Sequence, residues 1–149
     1  MVGVPRKARL LGRGGPIVSW VVMDTVVTEG IRVSVETFFL EDQSDPDGGR
    51  FVFAYVVTIA NEGPTTVQLK RRHWVITDGN GKVQEVEGPG VVGEEPTLGP
   101  GDSHRYQSGS ILETPVGTME GTYEMHEAGG RVFRARIPRF ALQQPGALH

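Results

Sequence analysis

The chain has 149 residues, 38% hydrophobic and 22% charged, which is ordinary for a single soluble globular domain. It contains no cysteine, so disulfides and thiolate metal sites are excluded, and a reducing, cytoplasmic setting is expected. A net charge of −3 gives no general affinity for nucleic acid, and no apolar run approaches the length of a membrane span.

Residues 1–22 carry Arg6, Lys7, Arg9 and Arg13 without a single acid, which leaves a net −7 on the rest of the chain. This basic N-terminal extension lacks the unbroken apolar stretch and cleavage site of a secretory signal. It is acid-poor like an organelle transit peptide, but one serine and poor helical potential argue against that reading. The segment Ile31 to Leu40 alternates apolar and polar residues, which predicts a half-buried strand. A cluster of acids and turn formers, EDQSDPDGG, then leads to Phe51–Ala60. That run is apolar on both parities and predicts a central strand covered on both faces, or with one face beneath a loop.

Between Thr66 and Thr77 the apolar parity changes. Val67 and Leu69 are odd, whereas Trp74 and Ile76 are even, and a continuous strand cannot aim all four inward. A bulge or break within Lys70–His73 is therefore predicted. DGNG at residues 78–81 supplies a hairpin turn, with Lys82 to Val86 as its short return strand. From Glu87 to Asp102 the chain is rich in glycine and proline and has no periodicity. Strand patterns resume at residues 104–108, 118–125 and 131–137, with Ala128 to Gly130 as a second hairpin turn and 143–149 as a tail. The fold class predicted is all-β, an antiparallel sandwich of about seven strands. Phe39, Phe53, Tyr55, Ile59, Trp74, Ile76, Tyr123 and Phe133 are the expected core.

Three ordered stretches, VQLKRRHWVITD at 67–78, GPGVVGE at 88–94 and PVGTMEGTY at 115–123, resemble the signatures of the ApaG family. The resemblance runs from about Asp24 to Leu142. It implies a fibronectin type III-like or immunoglobulin-like sandwich over residues 23–142. It also implies a link to cobalt and magnesium homeostasis and to diadenosine tetraphosphate. Related domains in larger proteins look like protein-binding modules, and no catalytic residue accompanies the resemblance. Family members begin near the position of Met23, so residues 1–22 are expected to be an extension or a mis-assigned start.

Gly88, Gly90 and Gly93 stand in G-x-G-x-x-G spacing, the pattern of a pyrophosphate cradle. Such a cradle needs a helix directly behind the loop. Here Pro96, Pro100 and further glycines prevent one, and Glu87, Glu94 and Glu95 repel phosphate. The glycines are expected to serve the loop's own shape, with Val91 and Val92 either anchoring it or forming an exposed apolar patch. Arg72-x-Trp74 follows the pattern of the family it resembles, which implies that Arg72 packs over an aromatic ring or pairs with an acid of the loop. The basic run at 70–72 otherwise reads as a solvated strand edge.

His73, His104, His126 and His149 lack metal-motif spacing, and the acids at 41–47 miss the spacing of a calcium loop. Ser103 and His104 have no nucleophile-elbow context. The resulting expectation is a non-enzymatic binding module without a cofactor. Its protein partner would be met through Gly88, Pro89, Gly90, Val91, Val92 and Gly93, supported by Arg72 and Trp74. The alternative is a small-ligand or ion-binding protein, with weak divalent-cation or pyrophosphate binding left open.

Overall fold

The computed structural model describes residues 22–146, together with the backbone of three short strands before them. Those three are β1 (Val4–Pro5), β2 (Arg9–Leu11) and β3 (Ile17–Ser19). Expectations about a start at Met23 and about residues 147–149 lie outside the described residues. The main strands are β4 (Val22–Thr28), β5 (Ile31–Phe39), β6 (Phe51–Asn61), β7 (Val67–Asp78), β8 (Val83–Pro89), β9 (Thr97–Leu98), β10 (Ser103–Leu112), β11 (Val116–Glu127) and β12 (Val132–Gln143).

Two main antiparallel sheets result, besides a two-stranded ladder of β2 and β3. One has the order β1-β4-β5-β6-β10, the other β12-β11-β7-β8, with β9 paired to the start of β7. Four long strands in each sheet thus form the sandwich expected from the sequence, in fibronectin type III-like order. The only helices among the described residues are two 3₁₀ turns, Glu41–Gln43 and Pro46–Gly48.

Strand β5 buries Ile31, Val33 and Val35 while Arg32 faces solvent, the alternation expected of a half-buried strand. Strand β6 is central, between β5 and β10, and buries both parities as its composition requires. Phe51, Phe53, Tyr55, Val57 and Ile59 enter the core, and Val52, Ala54 and Val56 are buried on the other face. There the turn after β5 is stitched to β6: Leu40 N–H donates to the Val52 carbonyl at 2.8 Å, and Val52 N–H to Ser44 Oγ at 2.9 Å.

The parity conflict in β7 is resolved by a bulge where it was expected. Glu124 opposes Arg71 and Met125 opposes Leu69, leaving Lys70 as the extra residue. Val67, Leu69 and Trp74 are thereby all buried. A second bulge carries β12 past Pro138: Met119 opposes Phe140, but Gly121 opposes Ile137. The buried set changes parity across it, from Phe133, Ala135 and Ile137 to Phe140 and Leu142. This strand was expected to stop at Ile137, and it continues because a bulged edge strand tolerates proline. β8 also runs further than expected, so Gly88 and Pro89 lie at a strand end and not in a free loop. β4 carries no period-2 signal and was not anticipated.

All eight expected core residues are in place: six lie in the buried cluster, and Phe39 and Ile76 pack against it. On one side of the sandwich β12 contacts β4 and β5. On the other, β10 edges one sheet and β8 the other, and the gap between them is the open mouth of the fold.

Candidate functional site

The glycine segment lies across this mouth, fixed to β7 on either side of the Lys70 bulge. Gly90 N–H donates to the Lys70 carbonyl at 2.9 Å, and Leu69 N–H donates to the Pro96 carbonyl at 3.0 Å. Lys70 Nζ pairs with Glu95 at 2.8 Å, and Gln68 Nε2 donates to the Glu95 carbonyl. Between these anchors the chain makes a tight hairpin. Val91 and Glu94 exchange both backbone hydrogen bonds, at 2.8 and 3.0 Å. Val92 and Gly93 at its tip have φ of 47° and 78°. Positive φ at both central residues is the geometry of a type I′ turn, which follows the twist of the strands.

Each glycine of the motif has its own local reason. A Cβ on Gly88 would meet the Arg72 guanidinium at 2.9 Å. Gly90, at φ +61°, leaves only 2.3 Å between a Cβ and the Glu94 carbonyl oxygen. Gly93 supplies positive φ in open space. No helix follows, and the amides are already spent, that of Gly90 on Lys70 of β7 and those of Val91 and Glu94 within the hairpin. The segment is therefore shaped by its own backbone.

Two expectations need correction. Val91 is fully buried in the core cluster, so it anchors the loop and cannot meet a partner. Val92 next to it is 62% exposed. Alternation across the turn sends one valine in and leaves the other at the tip. Arg72 neither stacks on a ring nor pairs with a loop acid. Its Nη1 donates to the carbonyls of Pro89 and Gly90 at 2.9 and 3.1 Å, because those carbonyls end β8 beside it. The loop acid Glu95 is taken by Lys70, and Arg131 is an arginine that does lie over a ring, that of Phe133. The run at 70–72 is accordingly not a uniform solvated edge: only Arg71 is exposed, while Arg72 shares the inner face with Trp74.

Behind the loop lies a cavity of about 350 Å³. Tyr55, Trp74 and Tyr106 wall it, with Arg72 and Ser108 as its polar edge and Val91 and Val92 at its rim. Trp74 is held edge-on to Tyr123 and Phe140, with ring centroids 6.4 and 5.9 Å apart, and tilted against Tyr55 at 5.4 Å. Such pairs fix ring orientation as well as burying area. The Tyr106 and Tyr123 hydroxyls share a buried hydrogen bond, and the Ser108 side chain bonds the Tyr55 hydroxyl. Burial raises the pKa of all three tyrosines, with the mutual contact holding Tyr123 higher still. Tyr55, Tyr106 and Ser108 were not anticipated as site residues. Their signal was present only as polar-tipped side chains on the inward parity of two strands.

The histidines do not converge. His73 pairs with Glu85 and His126 with Glu124, both at 2.8 Å, and the latter contact holds the Glu124 carboxyl below its usual range. His104 stacks beside Tyr106, and His149 lies outside the described residues. Ser103 and His104 alternate across β10. Among the described residues no group of three or more His, Asp or Glu side chains is placed to hold a metal. The acids at 41–47 form solvated turns, where Asp45 caps Gly48.

A family model described as the ApaG domain matches residues 41–127, from the first 3₁₀ turn to the end of β11. The chain belongs to the ApaG family. It is 56% identical over 123 residues to Protein ApaG of Brucella anthropi, covering 83% of this chain and 95% of that one. It is 57% identical over 119 residues to Protein ApaG of Azotobacter vinelandii, covering 80% and 94%. Among solved structures it resembles the putative ApaA protein from Bordetella pertussis, with TM-score 0.76 and 45% identity. That match covers 83% of this chain and 97% of the other. The matched ApaG domain segment contains the whole loop, Arg72 and every wall of the cavity. No helix among the described residues is long and apolar enough to cross a membrane.

Proposed function

We propose that this ApaG domain is a non-enzymatic, cytoplasmic binding module that meets a protein partner through the tip of its glycine loop. The observation that carries this reading is Val92. A β-branched residue at φ +47° is costly, because Cβ crowds the backbone there, and glycine or asparagine is the usual occupant. That strain falls on an exposed apolar side chain, beside the exposed Pro89 and the carboxylates of Glu94 and Glu95. Locally unfavourable residues persist where the side chain itself is needed, and an apolar tip with a charged rim is how interaction sites are built.

The test is Val92→Asn, which suits the backbone and removes the apolar tip. The variant should be more stable by about 1 kcal/mol in urea denaturation, since Asn tolerates the left-handed region. It should also lose the partner that the wild-type chain captures by affinity purification and mass spectrometry. Retention of every partner by a folded Val92→Asn chain would remove the loop tip as the interface.

A further inference from the structure

Among the described residues Arg72 is the one charged residue lining the cavity behind the loop. It stands on the inner face of β7, opposite buried Tyr123 and in line with Trp74. An inward arginine in a sandwich needs compensation. Among the described residues no carboxylate lies within salt-bridge distance of it. Lys70 takes Glu95, and Glu124 goes to His126. Glu87 and Glu124 oppose His73 and Arg71, whose side chains alternation sends to the other face of the sheet.

The guanidinium has five N–H donors in a rigid fork. Both hydrogens of Nη1 are directed to the carbonyls of Pro89 and Gly90, and the group rests on the bare Cα of Gly88. This fixes its orientation and leaves the Nε–Nη2 edge, the side that receives a carboxylate in two parallel hydrogen bonds. The cavity that Arg72 lines is otherwise walled mainly by aromatic and apolar groups, among them Trp74, Tyr55, Met119 and the buried Val91. A volume of about 350 Å³ suits a molecule of roughly one ring and a short chain.

We propose that this pocket binds a small organic monocarboxylate with a flat apolar body, its carboxylate on Arg72 and its body against Trp74 and Tyr55. One cation with one free edge matches one negative charge. A diphosphate would leave most of its charge unopposed, with Glu94 and Glu95 on the adjoining loop. The Tyr55 and Ser108 hydroxyls, bonded to each other, keep one free O–H between them as a further donor to the bound carboxylate. Val92, at the rim, covers the ligand from solvent. This assignment is independent of the protein partner, since the ligand needs no second chain.

The experiment is an NMR titration of the ¹⁵N-labelled full chain with 3-phenylpropionate and, in parallel, with its neutral analogue 3-phenylpropionamide. The acid should shift the Ser108, Gly109 and Val92 amides and the Trp74 indole, and should bind at least about tenfold tighter than the amide. Arg72→Gln should erase that difference. Should the variant fail to fold, Arg72→Lys, which keeps the charge but not the fork, should reduce it. Equal binding of acid and amide, shifts mapping away from these residues, or no binding by either would overturn the proposal. Displacement of the acid by stoichiometric inorganic pyrophosphate or phosphate would overturn the monoanion assignment as well.

Discussion

Gly90 and Gly93 both have positive φ, yet the structure assigns them different costs. At Gly93 a methyl group would stand in open space, so Gly93→Ala pays only for the left-handed backbone, about 1 kcal/mol. At Gly90 the same methyl would lie 2.3 Å from the Glu94 carbonyl oxygen and 3.2 Å from the Glu95 side chain. That carbonyl accepts from Val91, so relief of the clash opens the hairpin. Gly90→Ala should therefore cost more than about 3 kcal/mol, or release the loop with loss of Val91 from the core. Urea denaturation of the two variants reads the difference, and equal losses would contradict the loop geometry. At this scale the sequence was informative about which residues shape the loop but not about where they point. Spacing alone said that no helix followed Gly93. It could not say that Val91 is buried and Val92 exposed, because a turn has no fixed period from which to infer direction. Nor could it show that Arg72 finds carbonyls in place of a carboxylate, since strand β8 ends on a residue that reads as loop.

The elements depend on two bulges, and each settles a conflict of parity. Lys70 lets Val67 and Leu69 share a face with Trp74 across twelve residues of β7, and its carbonyl receives the Gly90 amide. Deletion of Lys70 would restore a regular ladder at the cost of sending Val67 and Leu69 to solvent. Each is fully or nearly fully buried, and moving both outward costs about 3–6 kcal/mol in lost burial. The deletion variant should therefore be unfolded or molten, with poor amide dispersion, while Lys70→Ala, which keeps the residue count, should stay folded. A well-dispersed spectrum from the deletion variant would mean that the bulge can migrate. The bulge in β7 was legible because its apolar residues are large and their parity is plain on both sides. The bulge in β12 was not, since Pro138 reads as a terminator unless the partner strand is known. β4 was missed for a related reason: Val22–Thr28 places valines and a methionine on both parities, and Asp24 is buried beside them.

At the scale of the whole molecule, the two sheets meet around a cluster that includes all three tyrosines of the chain, Tyr55, Tyr106 and Tyr123. Each is held in its protonated form chiefly by burial, and the Tyr106–Tyr123 hydrogen bond needs at least one of the two protons. In the unfolded chain all three ionise near pH 10. Above that pH the folded state thus binds more protons than the unfolded state, so stability falls as pH rises. Below it the two states bind equally and these groups contribute no slope. The decline is about 1.4 kcal/mol per pH unit for each tyrosine whose ionisation the fold still blocks. In an alkaline titration followed at 295 nm, native protein should show no phenolate step near pH 10. Phenolate absorbance should instead appear cooperatively, together with loss of the near-ultraviolet circular dichroism of Trp74 and its neighbours. A phenolate step near pH 10 with the aromatic dichroism intact would show that burial in the folded chain does not hold the tyrosine hydroxyls protonated.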